Sequence, residues 1–292
     1  MRSIVLVAAL LIGSFFPIIS ALEPIITYFL AGMLFFAFLD LKITKEAFHY
    51  SHLAILSINL LLALVTFFIL KNINYNLATA VFLITFAPTA ISAPGVASYL
   101  KTNVTYVAFS TLLTNIVVIS LIPVLIPHVL HSRAEVSVLG MLPSLSTIFI
   151  VPFALARIIY FNLPKTKQFL LKFKDLGFVF FAANICIASA KAVQFIHDSK
   201  QIPATEIALV IGISGIVALL SFAIGYIIAG KKHRVEGLLA MGHKNTIFSI
   251  WIGLTYISPY AALAPISYIL WQNLIVSWIM KKFQPVNSNT VV

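Results

Sequence analysis

Charge is scarce in this 292-residue sequence and acidic charge scarcest: eight Asp and Glu against 19 Lys and Arg, together 9% of the chain. Soluble domains carry about 25% charged residues, so a water-facing globular fold is excluded. Cysteine is nearly missing. Cys186 stands alone in an apolar run, which leaves no disulfide framework, no thiolate metal site, and a small side chain that reads as packing. No glycine-rich phosphate loop and no serine-nucleophile elbow occurs. His128-x-x-His131 has only Glu135 near it and no third clustered ligand, so it reads as a surface turn. Alternating polar strands are also missing, which excludes a membrane β-barrel.

What fills the sequence is apolar: 61% hydrophobic residues and a mean hydropathy of +1.06. Apolar runs of spanning length recur throughout, which predicts an all-α polytopic membrane protein with about ten transmembrane helices. They fall near 4–21, 24–40, 52–70, 77–100, 103–127 (closing at Pro123 and Pro127), 137–161, 176–196, 205–229, an interrupted ninth after Arg234, and 260–280. Met1-Arg2-Ser3 followed by Ile4 to Ala21 imitates a signal peptide. Its length, its Pro17 and the lack of a small-x-small site before Leu22-Glu23-Pro24 make it the first span instead.

The net charge of +11 could suggest nucleic acid, but the basic residues sit in short loops between apolar segments. There they act as topology signals. Arg2, Lys42, Lys45, Lys101, Lys165, Lys167, Lys172, Lys174, Lys231, Lys232, Arg234, Lys281 and Lys282 fall on one side; Lys71, Arg133 and Lys200 fall on the other. The positive-inside rule then puts both termini in the cytoplasm, in a multi-pass chain suited to a cell (inner) membrane. Membrane lipid is the implied surroundings, and no nucleic-acid partner is expected.

The chain reads as a single transmembrane unit over 1–292 with halves at about 1–132 and 133–292. Five spans per half, an odd number, give inverted repeats, and in each half the fourth segment is the damaged one. Paired interruptions at corresponding positions of inverted halves point to a transporter site near the bilayer midplane.

The first damaged segment holds Pro88, Thr89, Ser92, Pro94, Gly95 and Ser98. Each proline removes an amide donor and frees a carbonyl one turn back, and the hydroxyls can satisfy groups freed inside a bilayer. A plain proline kink, with hydroxyls bonded to their own helix, is the competing reading. The second is Gly242-His243-Lys244-Asn245-Thr246. A lysine mid-span costs about 2.5–3.5 kcal/mol on insertion scales and persists where it faces protein or a water-filled cavity. Gly242 lets the helix open. Lys244 has two readings: a counter-ion for a half-helix C-terminus or for Glu236, or a titrating group that exchanges a proton during transport, with His243 beside it. Thr111, Thr114 and Asn115 form one stripe on the fifth span, either interhelical glue or site lining. Asn59 and Asn184 read more readily as glue.

Ala87-Pro88-Thr89-Ala90 through Tyr99-Leu100, then Asn103-Val104 and the Thr111-to-Pro127 helix, resembles the fourth and fifth helices of the bile acid:sodium symporter family. Gly242 to Thr246, Ile250-Trp251 and Trp271-Gln272-Asn273 resemble its ninth and tenth. The resemblance implies two inverted five-helix repeats, a panel and a core, crossed broken helices 4 and 9, and alternating-access transport of organic anions. It marks Gln272 and Asn273 as further site residues. It also carries departures. Sodium-coupled members place a glutamate two residues before the motif glycine and a glutamine two after it, where this chain has Ala240 and Lys244. Their serine-asparagine pair in the fourth helix is replaced by Pro94-Gly95, while Thr111 matches a hydroxyl sodium ligand. Lys244 is therefore expected to stand in for the sodium ion, leaving uniport, exchange or proton coupling, with no bound cofactor or metal.

A small organic anion is the expected substrate, met by half-helix N-termini, by Thr89, Ser92 and Ser98, and by the amides of Asn245 and Asn273. Three rivals remain. A cation/proton antiporter would want intramembrane carboxylates, whereas Asp40, Asp175 and Glu236 lie near helix ends. An embedded enzyme would need a nucleophile–base pair. A non-transporting membrane sensor would bind solute without flux.

Overall fold

Seven helical runs are long and apolar enough to cross a membrane: Pro17–Leu39, Tyr50–Leu70, Val104–Pro127, Gly140–Asn162, Leu176–Asp198, Ala204–Ile228 and Pro259–Lys282. Three shorter apolar helices, Ile4–Phe15, Tyr75–Phe86 and Thr246–Ile257, lie between them. The protein is a multi-pass helical membrane protein. This computed structural model describes residues 2–40, 48–129, 138–199 and 202–283, and across them the chain is helical apart from turns and one isolated bridge. Lys42, Lys45, Arg133, Lys200, His131 and Glu135 lie outside the described residues, as does the expected boundary at 132–133.

The three short segments have causes in the sequence. The first helix, α1 (Arg2–Phe15), stops well before residue 21 because Pro17 has no amide to carry it on. The chain instead winds as a 3₁₀ segment over Pro17–Ile25 and runs into α2 (Ile26–Asp40). Helix α3 is Tyr50–Leu70. Helix α4 (Tyr75–Phe86) is capped by the Asn74 side chain, which accepts from the Leu77 amide at 3.0 Å, and it ends two residues before Pro88. A seven-residue helix, α5 (Ala93–Tyr99), carries Pro94 in its first turn. That proline opens a helix rather than interrupting one, since the amides of a first turn have no intrahelical partner to lose.

Helix α6 (Val104–Val129) keeps Pro123 and Pro127 inside it, against the expectation that the span closes at them. A transmembrane helix absorbs such prolines when the remaining ladder and nearby hydroxyls carry the freed groups. Helices α7 (Val138–Leu145) and α8 (Val151–Asn162) form one run through a π turn at Ser146–Ile150, followed by the short surface helix α9 (Pro164–Leu171). Then come α10 (Leu176–Ser199) and α11 (Ala204–Ile228). Last are the half-helices α12 (Arg234–Gly242) and α13 (Thr246–Ile252) and the final α14 (Leu263–Lys282).

Helix α10 packs on α1 and α2, and α2 on α8; α3 packs on α4, α5 on α6, and α11 on both α12 and α14. The α11–α12 seam is backbone against backbone. A Cβ on Gly237 would stand 2.2 Å from Ala229 Cβ and 2.4 Å from the Gly225 carbonyl oxygen. Gly237→Val is therefore expected to part the two helices, a cost of about 1–3 kcal/mol for overpacking, read as a lowered thermal midpoint of the purified protein. An unchanged midpoint would mean the seam is looser than these distances. Gly242 has the same need for space: a Cβ there would fall 2.3 Å from the Phe222 ring. Its bareness serves that ring; the helix opens one residue later, at the extended His243.

Candidate functional site

The two broken helices meet at their breaks. Thr89, between α4 and α5, and Lys244, between α12 and α13, form an antiparallel bridge. The Ala90 amide donates to the His243 carbonyl at 2.7 Å and the Asn245 amide to the Pro88 carbonyl at 2.8 Å. Each break thus satisfies backbone groups freed by the other, which is the condition for non-helical chain at membrane depth. Side chains complete the joint. Thr89 donates its hydroxyl to the Ala240 carbonyl at 2.5 Å and its amide to Thr114 Oγ1 at 3.1 Å, and its carbonyl accepts from Asn115 Nδ2 at 2.9 Å. Gln272 Oε1 accepts the Lys244 amide at 3.0 Å, and Tyr268 donates its hydroxyl to the Gly242 carbonyl at 2.8 Å.

Lys244, 2% exposed, sends its side chain to the end of α4. Its Nζ donates to Asn59 Oδ1, to the Thr85 carbonyl at 3.0 Å and to the Ala87 carbonyl at 3.2 Å. The carbonyls are available because α4 ends at Phe86, Pro88 has no amide, and the Thr89 amide has turned to Thr114. Three oxygens meet the three donors of an ammonium, whereas a neutral amine would present two donors and a lone pair. A cation at a helix C-terminus is also favoured by the helix dipole. No carboxylate is among these partners. Glu236, one of the two counter-ions considered from the sequence, instead accepts the Asn103 amide at 2.8 Å. A sodium ion does not fit here: the oxygens that converge on this point are already engaged by Lys244, and a hard cation needs several of its own.

The expected site residues divide into groups. Thr89, Thr114, Asn115, Lys244, Asn245, Thr246 and Gln272 are buried at or beside the joint. Pro94 is partly buried in the first turn of α5, and His243 is buried with Nε2 3.5 Å from Ser92 Oγ. Thr111 donates to the Val107 carbonyl of its own helix at 2.9 Å, and Asn273 Nδ2 to the Ile269 carbonyl at 2.7 Å. Gly95 and Ser98 sit on the exposed face of α5, away from the bridge. Asn59, read as interhelical glue, does bond across elements: its Oδ1 accepts from Lys244 Nζ and its Nδ2 donates to the Ala87 carbonyl at 3.5 Å. Its signal was weak, one amide on a helix whose register against the breaks no local pattern reveals.

Four buried polar atoms around the joint have no hydrogen-bond partner among the described residues: Asn115 Oδ1, His243 Nδ1, Asn245 Nδ2 and Thr246 Oγ1. Buried polar atoms are almost always paired, so these are the groups a polar solute or water would engage. A cleft of about 400 Å³ lies further along, between Glu23, Ile26 and Thr27 on one side and Trp251, Leu254 and Thr255 on the other. Trp251 Nε1 donates to Thr27 Oγ1 across it at 3.1 Å, and Glu23 pairs with Lys191 at 2.8 Å.

Fold and joint together define a multi-pass membrane protein built on two mutually braced broken helices. Comparison with described protein families matches none, and curated proteins yield no significant sequence match.

Proposed function

We propose that this chain is a secondary transporter of a small organic anion, of the bile acid:sodium symporter-like type, with the Lys244 ammonium built in where sodium-driven members hold an ion. The observation that carries the reading is Lys244 Nζ, bound by three oxygens where two broken helices meet. Crossed discontinuous helices near mid-membrane are the recurrent architecture of solute sites in secondary transporters. Ten membrane helices in two inverted five-helix repeats, moving by alternating access with both termini cytoplasmic, complete the proposal. The unpaired Asn245 Nδ2, a donor only, and the Thr246 hydroxyl, which can donate, favour a solute that carries acceptor oxygens, with His243 Nδ1 a further donor in one tautomer. Among the described residues no bond-making set accompanies them, so transport is preferred over enzymatic chemistry.

The test is uptake of a labelled organic-anion panel into proteoliposomes, with sodium and proton gradients imposed separately, in wild type and Lys244→Gln. Uptake that ignores the sodium gradient and changes with the substitution is the expected result. Sodium-driven uptake in the wild type would overturn the built-in cation, and binding of a solute without any flux would favour a sensor.

A further inference from the structure

A second polar cluster lies at the other end of α12. His233 caps that helix at its N-terminus, is 7% exposed, and finds no hydrogen-bond partner for either ring nitrogen among the described residues. A neutral imidazole carries one donor and one acceptor, so both are spent without return, where an apolar side chain would avoid the penalty. The position also favours a side-chain oxygen as cap, and the imidazole makes no cap bond. Around it the rings gather: His49 at 4.6 Å between centroids, and Tyr106 at 4.7 Å in a stack tilted by 18°. His52 lies 4.1 Å from Tyr106 and 5.9 Å from His49, with Nδ1 2.7 Å from Ser110 Oγ.

We propose that His49, His52 and His233, gathered on Tyr106, form a proton-binding site at the foot of α12 that holds one proton and biases where that half-helix sits. This deepens the transport reading by naming a coupling or gating ion, and the site is tested without flux, so that each fails separately.

Spacing disfavours a second proton. Two imidazolium rings whose centroids are 4.6 Å apart repel each other, so a proton on His233 is opposed by charge on the neighbouring ring. The first has somewhere to rest. The Tyr106 ring offers its negative face to a stacked imidazolium, and Glu236 stands in the first turn of the same helix. Burial opposes it most and pushes His233 below the ordinary imidazole value of 6.5, with His49 and Lys232 adding to that and Glu236 working against it.

The other titratable or charged groups on the elements packed around α12 are few among the described residues. Arg234 lies on α12 itself, over the Tyr226 ring of α11, and Lys231 precedes it. Tyr99 ends α5, Lys101 follows in the turn after it, and Tyr50 begins α3. Positive charge dominates this rim, and the N-terminal end of a helix disfavours a further cation. Proton uptake at His233 therefore loosens the foot of α12 from α3 and α6. With His233 depressed in the folded state, the stability it contributes is complete above 6.5 and is lost as pH falls below that value. The displacement reaches the joint, because the far end of the same half-helix supplies the Ala240 carbonyl to Thr89 and leads directly into Lys244.

The experiment is a side-chain NMR titration of histidine-labelled protein in nanodiscs, from about pH 8 to about pH 4.5, with rings assigned through correlations to their own backbone. His233 is expected to titrate in one step below 6.5. His49→Gln, at a partly exposed position, should move that step upward by about 0.5 pH unit or more by removing the competing imidazole. Amides of α12 should exchange faster below the step. A His233 signal that stays flat over the range overturns the site, and so does a step that His49→Gln leaves in place. If the titration appears as described while no anion is ever transported, the proton site stands and the transport reading falls.

Discussion

Lys244→Met lowers the thermal midpoint of the purified protein further than Lys244→Gln does, and both fall below wild type. Two large effects oppose each other at this position. Burying an ammonium carries a desolvation penalty of several kcal/mol, and replacing buried ion pairs wholesale by apolar residues often stabilises a protein. Here only one side of the interaction can be replaced. Two of the three acceptors are backbone carbonyls, Thr85 and Ala87, at the end of a helix that Pro88 prevents from continuing. Methionine fills the volume and leaves the Thr85 carbonyl and Asn59 Oδ1 unmet, at about 1–3 kcal/mol each, while the Ala87 carbonyl keeps only the long bond from Asn59 Nδ2 at 3.5 Å. The orphan cost wins, by about 3 kcal/mol or more if the groups cannot find water. Glutamine returns an amide donor and recovers part of the loss. A methionine variant as stable as wild type would show that the oxygens relax onto water, and the bound-cation account of the joint would be wrong.

The sequence was legible where a single residue type forces a local event. Pro88 and the Gly242-to-Thr246 stretch announce the two breaks, and Lys244 in an apolar setting announces its own importance. What pairs with what was much less legible. Asn59 meets Lys244, and Asn115 meets the Thr89 carbonyl, through the mutual rotation of helices, which periodicity does not encode. Proline misled in both directions: Pro17 ended the first span early, Pro94 began a helix, and Pro123 and Pro127 lie within one. The penalty for a proline depends on whether its freed carbonyl finds another donor, which is a tertiary fact. The ring cluster was least legible of all. His49, Tyr106 and His233 come from three separate elements, and nothing in the local sequence of any one names the others.

Sodium dependence can be installed if Lys244 stands where an ion would otherwise bind. Under the proposed symporter-like reading, position 240 would hold a glutamate and position 244 a glutamine in a sodium-driven protein, so the substitution to make is Ala240→Glu with Lys244→Gln. Asn59 Oδ1 and the Thr85 and Ala87 carbonyls already converge on Lys244 Nζ, and the double variant adds carboxylate and amide oxygens to the same half-helix and its break, the kind of ligand a hard cation requires. Ala240 is 3% exposed, so the larger side chain costs about 1–3 kcal/mol of packing and lowers the midpoint measured without sodium. That baseline does not decide the matter. A ligand that binds only the folded state adds about 2.7 kcal/mol at a hundredfold excess over its dissociation constant. The expected result is therefore a midpoint that climbs with sodium and not with choline in the double variant, while wild type stays level because its ammonium repels a second cation from the same oxygens. Lys244→Gln alone, lacking the carboxylate, should respond weakly. If the folded double variant is as indifferent to sodium as wild type, the oxygens around Lys244 are a helix cap and nothing more, and the charge at the crossing has no ion-binding ancestry to restore.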